Sequence, residues 1–287
     1  MKEQSLVLKE IKSFNLTHIF ECGQCFRWNK NTDGSYTGVV KNNVISIKMT
    51  NNNIYVKSYG EDNLEKLFTE YFDIDRDYES IKKQLREIDD NMKQSILYGE
   101  GIRLLNQDLW ETIISFIISA NNNIPRIKGI IERISKRFGN KIIWNNKEYY
   151  TFPTPEQLGK AEVEDLRNLG LGFRDIRVFE TTKMILNKEV DFEKLYKEKN
   201  TQVVRDELLK LPGVGPKVAD CILLFSTLKR FDVFPIDVWV RRVMNDLYIH
   251  REDENKVEKK EVLNIANDKF GELQGIAQQY LFYWKRG

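Results

Sequence analysis

The chain has 287 residues, 41% of them hydrophobic and 31% charged, with a net charge of +2 and a mean hydropathy of -0.50. That length allows two packed units, and the composition suits a globular protein, neither disordered nor membrane-spanning. The longest apolar stretch, around Ile113 to Ala120, is broken by serines and falls short of the roughly 18 residues of a bilayer-spanning helix. Met1 to Phe14 carries Lys2, Glu3, Lys9, Glu10 and Lys12 without an uninterrupted apolar run, so no secretory signal is expected and the location predicted is cytoplasmic.

From Asn15 to Tyr59 apolar residues recur with a period near two. Phe26 to Trp28, Tyr36 to Val40, Val44 to Met49 and Ile54 to Tyr59 are separated by Asn- and Gly-containing turns, which predicts an antiparallel meander. Glu61 to Phe72 and Tyr78 to Ile96 then show the three-and-four spacing of helices able to cover one sheet face. Beyond Leu97 the helical period dominates, over Asp108 to Ser119, Pro125 to Phe138, Pro155 to Leu169, Arg174 to Asn187, Thr201 to Lys210, Pro216 to Leu228, Asp237 to Leu247, Lys259 to Phe270 and Gly275 to Trp284. The expected fold is therefore α+β: an antiparallel sheet unit over residues 1–97, then an all-helical region over 98–287. The mixed-charge run Arg251 to Glu261 reads as a solvated helix edge.

The segment Leu211-Pro212-Gly213-Val214-Gly215-Pro216-Lys217-Val218-Ala219-Asp220-Cys221 sets two glycines between helical stretches and a proline in the first turn of the second. It is a helix-hairpin-helix, near residues 205–228. Gly213 and Gly215 let the turn close and leave bare N–H groups at a helix N-terminus, where a phosphate oxygen fits. Such contacts hold DNA without reading its sequence. Lys217 stands at the start of this helix, where the dipole and partial burial are expected to lower its pKa. Twenty positions on, Asp237 reads as a helix N-cap and also as a carboxylate partner for an amine nucleophile. Such a pair suits glycosidic cleavage: the acid stabilises an oxocarbenium-like sugar, the lysine captures C1′, and the Schiff base permits β-elimination.

Four further motifs accompany the hairpin: Gly23-Gln24-Cys25-Phe26-Arg27-Trp28, Ser119-Ala120-Asn121-Asn122-Asn123-Ile124-Pro125-Arg126, Gly170-Leu171-Gly172-Phe173-Arg174 and Gly275-Ile276-Ala277-Gln278-Gln279-Tyr280-Leu281-Phe282. In this order, and across nearly the whole chain, they resemble the helix-hairpin-helix DNA glycosylases, and within them the 8-oxoguanine DNA glycosylase/AP lyases. The resemblance implies a TATA-binding-protein-like sheet unit, Lys217 and Asp237 as the catalytic pair, and double-stranded DNA containing 8-oxoguanine as the partner of a monomeric enzyme. It also implies that a carbonyl at Gly23 accepts from N7–H of the oxidised base, with Gln278 on the Watson–Crick edge and Phe282 and Cys221 against the base. Asn121 would fill the gap left by the extruded base, Phe173 would wedge the stack, and Arg126 and Arg174 would donate to the widowed cytosine. Phe173 stands where several relatives carry Tyr. Trp239 stands where eukaryotic relatives carry a phosphate-touching His, and is a possible DNA neighbour.

Taken alone, Gly23 would equally end a strand or bulge, Asn121 would belong to a capped helix break, and Phe282 would be core. The three cysteines, Cys22, Cys25 and Cys221, cannot form a fully paired framework or supply the four thiolates of an iron–sulfur cluster. No metal or organic cofactor is expected, because the nucleophile is a side chain. Arg126, Lys128, Arg133, Lys136, Arg137 and Lys141 form a local basic excess. The competing readings are a monofunctional glycosylase for alkylated bases, which Lys217 argues against, and a noncatalytic DNA-binding module.

Overall fold

The computed structural model describes residues 1–51 and 53–287. Its sheet has five antiparallel strands in the order β1-β5-β4-β3-β2, formed by β1 (Lys2–Lys9), β2 (Trp28–Lys30), β3 (Tyr36–Val40), β4 (Asn43–Thr50) and β5 (Asn53–Gly60). Strands β3 to β5 lie where period-two patterning put them. Ile45, Ile47, Ile54 and Val56 fill the inner face, so a one-residue slip of register would turn this set to solvent. Strand β1 was not anticipated. It pairs with β5 through Leu6↔Val56, turns Leu6 and Leu8 partly inward and leaves Val7 exposed. As an edge strand with one half-covered face it carries only a weak apolar signal.

Two corrections concern the elements around the sheet. Leu16–Glu21, expected within the meander, is a helix, capped by the Asn15 side chain accepting from Thr17 N and His18 N. Of the two stretches expected to cover the sheet, only the helix Leu64–Tyr71 does so, burying Leu64, Leu67, Phe68 and Tyr71 against it with Phe14, Phe20 and Trp28. The stretch Tyr78 to Ile96 breaks into Tyr78–Arg86 and Asp90–Tyr98, whose Leu85, Met92 and Ile96 join the core of the helical region.

That core is organised around Leu109–Ser119, whose apolar positions Leu109, Trp110, Ile113, Ile114, Phe116, Ile117 and Ile118 are all buried. A helix apolar on every side belongs in the middle of a bundle. Against it pack Ile124–Phe138, Asp175–Leu186 and Pro216–Phe225, and Lys259–Phe270 and Gln274–Arg286 extend the same core. The expected Pro155 to Leu169 helix is divided into Pro155–Leu158 and Val163–Asn168, each with its own capping box, Thr154 with Gln157 and Glu162 with Asp165. Phe192–Lys197 is a further short helix, and the Arg251 to Glu261 run is mostly loop around the turn Glu254–Lys256.

The region is not wholly helical. Strands β6 (Lys141–Trp144) and β7 (Lys147–Tyr150) form a hairpin, with Asn145 and Asn146 both at positive φ, as a two-residue primed turn requires. Ile142 and Trp144 pack on Val39 and Val44, on the sheet face opposite Ile45 and Ile47. The fold is thus α+β, with Leu64–Tyr71 covering one face of the sheet and the β6–β7 hairpin docked on the other.

Candidate active site

Gly23 follows the helix Leu16–Glu21 and its cap Cys22, with φ of +87°, the left-handed position that favours glycine after a helix. The next residue fixes it. The fully buried Gln24 amide donates to the carbonyls of Ile19 and Arg103, both at 2.8 Å, and accepts from Leu105 N at 2.8 Å. Its own carbonyl accepts from Gln107 Nε2 at 2.8 Å. The Gly23 loop is therefore stitched to the strap that enters the central helix.

The helix-hairpin-helix pairs Thr201–Leu208 with Pro216–Phe225. Gly213 has φ of +87°, and a methyl group there would lie 3.0 Å from Arg177 Cδ and 3.1 Å from Ile117 Cγ2. Gly215 caps the second helix with open space where a side chain would be. The first turn of that helix thus presents its N–H groups outward. Lys217 is its second residue, and Cys221 lies one turn further on. Asp237 caps Val238–Met244, Oδ1 accepting from Val240 N at 2.8 Å. So the N-cap reading of Asp237 and its place beside Lys217 coexist.

Lys217, Asp237, Cys221, Gly23, Gln278 and Phe282 line one cavity of about 410 Å³, walled also by Phe26, Phe116 and Cys22. Residues up to 259 positions apart in sequence thus meet at one site. Lys217 Nζ stands 5.4 Å from the Phe116 ring centroid. Against the expected fall, its pKa is raised, by the charge of the Cys221 sulfur when ionised most of all and by the Asp237 carboxylate, while burial pulls it down. Burial itself pushes the Cys221 thiol up to about 11, so near neutrality the full negative charge facing Lys217 is that of Asp237. Gln278 Nε2 donates to Pro235 O, and its Oε1 accepts from Gln279 Nε2 at 3.3 Å, which holds the amide at the cavity wall. A larger cavity of about 620 Å³ lies elsewhere, around Asp73, Glu111 and Lys229. It contains none of the expected catalytic or base-binding residues.

The remaining expected residues lie outside the cavity. Asn121 is exposed at φ of +50°, Arg126 is exposed with Nη2 at 3.5 Å from Gly170 O, and Trp239 is 39% exposed. Phe173, 54% exposed, has the guanidinium groups of Arg174 and Arg177 at 4.2 and 5.2 Å from its ring centroid. Arg174 departs from its expected part. It is 1% exposed and donates to Ala120 O twice, at 2.9 and 2.6 Å, to Asn121 O at 2.8 Å and to Leu171 O at 3.1 Å. Its hydrogen bonds brace the Asn121 turn in place of pointing at solvent. Burial, then the charges of Arg126 and Arg177, lower its pKa, so three mutually repelling cations gather on this ridge.

Sequence reasoning missed Phe116, Cys22 and Arg286 as cavity residues. The signal for Arg286 was present, since it is four residues beyond Phe282 and hence on the same helix face.

Residues 6–113 match the family described as 8-oxoguanine DNA glycosylase, N-terminal domain, and residues 114–267 that described as HhH-GPD superfamily base excision DNA repair protein. The chain is 33% identical to a probable N-glycosylase/DNA lyase of Methanothermobacter thermautotrophicus, covering 76% of this chain and 72% of that one. It is 32% identical to the N-glycosylase/DNA lyase of Saccharomyces cerevisiae, covering 79% and 66%. A crystal structure of Clostridium acetobutylicum 8-oxoguanine glycosylase/lyase, in complex with double-stranded DNA containing cytosine opposite 8-oxoguanine, superposes with a TM-score of 0.92 at 40% identity, covering 99% of this chain and 97% of that one. The chain belongs to the helix-hairpin-helix base excision DNA repair superfamily, in its 8-oxoguanine glycosylase/lyase branch. It is accordingly an enzyme, a DNA N-glycosylase and DNA lyase.

Proposed function

We propose that the protein excises 8-oxoguanine from double-stranded DNA, preferably opposite cytosine, and then nicks the abasic product. The observation that carries this reading is the meeting of Lys217 and Asp237 in one cavity with Gly23, Cys221, Gln278 and Phe282. The Lys217 nitrogen attacks C1′ while the bond from C1′ to N9 breaks, and the Asp237 carboxylate offsets the positive charge on the sugar. Because the resting amine is protonated, its proton must pass to the departing base or to Asp237 during attack. The C1′ adduct opens to a Schiff base, loss of a C2′ proton expels the 3′ phosphate, and hydrolysis returns Lys217. Gly215 and the first turn after it hold a phosphate during these steps. Arg126, Asn121 and Phe173 engage the strand opposite and the emptied stack, and Arg174 supports them from behind.

Borohydride reduction during turnover on an 8-oxoguanine:cytosine duplex tests the reading. It should yield a covalent protein–DNA adduct whose modified peptide contains Lys217, and Lys217→Gln should yield none while still binding the duplex. No adduct from the unaltered protein would point to a monofunctional enzyme or a DNA-binding module. An adduct on another peptide would remove Lys217 from the chemistry.

A further inference from the structure

Arg286 ends the last helix at the edge of the base cavity. Its Nη1 lies 3.5 Å from where a Gly23 side chain would begin, next to Phe282 Cε1 at 3.6 Å. Its guanidinium carbon is 5.7 Å from the Phe282 ring centroid. Among the described residues its side chain takes part in no hydrogen bond and no ion pair. Arg286 also borders an adjoining cavity of about 540 Å³ that contains Glu21 and Lys128. Both of these are committed elsewhere. Glu21 accepts from Tyr36 Oη at 2.5 Å and pairs with Lys30 at 3.6 Å, and Lys128 donates to Trp28 O. A guanidinium is a fork of five donors with no acceptor. At the rim of the cavity its donors are free to meet a partner that presents an oxygen.

The lesion presents one there. 8-Oxoguanine differs from guanine at two adjacent atoms: N7 carries a proton, and C8 carries a carbonyl oxygen where guanine has only C–H. The acceptor that reads N7–H is assigned to Gly23, so a donor beside Gly23 meets the neighbouring carbonyl. We propose that Arg286 is a specificity-determining residue that donates to O8 of the extruded base. Gly23 and Arg286 then read the two altered atoms together, one as acceptor and one as donor. As the bond from C1′ to N9 breaks, negative charge spreads over the leaving base and onto O8, where a guanidinium stabilises it. The effect falls on base departure and leaves the later lyase steps, which involve no base, outside its reach.

The inference rests on 8-oxoguanine being the substrate, and two rates separate the claims: single-turnover excision from an 8-oxoguanine:cytosine duplex, and nicking of a duplex with a preformed abasic site. In Arg286→Met the ratio of excision to nicking should fall about ten- to a hundredfold, as for loss of one charge-assisted hydrogen bond. Arg286→Lys, which keeps a donor without the fork, should recover part of that loss. Arg286 is exposed, so both variants should fold. Equal falls in both rates would make Arg286 a DNA-backbone contact and overturn the proposal, as would an unchanged ratio or a Lys variant no better than Met. An unaltered protein that nicks abasic DNA but leaves 8-oxoguanine in place would refute the substrate reading itself, and this inference with it.

Discussion

Arg174→Ala separates two ways in which one arginine can shape opposite-base preference. In the folded protein the guanidinium makes four hydrogen bonds to the carbonyls of Ala120, Asn121 and Leu171, at 2.6 to 3.1 Å, from a side chain that is 1% exposed. Each such bond contributes about 1 kcal/mol net. Asn121 is itself exposed, so water can reach part of the vacated site, and the expected loss is about 2–4 kcal/mol. For a chain of this size that corresponds to a fall in melting temperature of about 3–7 °C. Asn121 loses its brace at the same time, so cytosine preference should flatten as a consequence. Urea and thermal unfolding beside single-turnover excision opposite each of the four bases provide the measurement. Native stability together with a flattened preference would show Arg174 acting on DNA directly, and the brace reasoning would fail.

Asp237→Asn keeps a side-chain oxygen for the cap on Val240 N but removes the charge, so stability should change by less than about 0.5 kcal/mol while excision slows; an unchanged excision rate would reduce Asp237 to a cap. Gly23→Ala forces an alanine into positive φ at a cost of about 1–2 kcal/mol, and sets a methyl group at ordinary contact distance between Phe282 and Arg286. Excision should suffer more than stability, and a variant with wild-type excision would contradict the place of Gly23 at the base edge. Burial raises Asp220 to about 6 despite Arg205 at 2.7 Å. The folded state therefore binds the extra proton between the ordinary carboxylate value and about 6, and stability falls as pH rises through that window, by about 2–3 kcal/mol, then levels off. Urea midpoints of Asp220→Asn across pH 4 to 7 should lack this slope. Because the Lys217 proton is handed on within the site during attack, single-turnover excision should change little between about pH 6 and pH 8, and a rate climbing steadily over that range would show that the free amine must form first.

What the sequence revealed depended on how local the cause was. Strands β3 to β5 and the hairpin helices carry their signal within a few residues, through alternation, turn residues and the pair Gly213 and Gly215. Strand β1 finds its partner more than forty positions away, and its charged ends hide a three-residue alternation of Leu6, Val7 and Leu8. The β6–β7 hairpin was readable in principle, since Asn145-Asn146 between Ile142-Ile143-Trp144 and Tyr149-Tyr150 is a turn between apolar segments. The overall helical period of its surroundings masked it. Tyr78 to Ile96 shows why amphipathicity names a buried face but not the surface that buries it: Leu85, Met92 and Ile96 turned to the helical core. At the site, residue types and spacing brought out Lys217 and Asp237, while Gln278 and Phe282 came only with the family resemblance. The shift at Lys217 comes from Cys221 one turn along its own helix, from burial and from Asp237, and the burial of Arg174 depends on Ala120 and Asn121 from another segment.

The Gln24 amide has a wider consequence than holding one loop. Gly23 sits between two hydrophobic cores, Cys22 and Phe26 in the helical one and Phe20 and Cys25 in that of the sheet, and this single buried side chain ties it to backbone on either side. Thermal breathing between sheet and bundle would otherwise alter the spacing between Gly23 and Lys217 across the cavity they share. A lock at this seam keeps the Gly23 loop in a fixed place relative to the backbone that leads into the central helix.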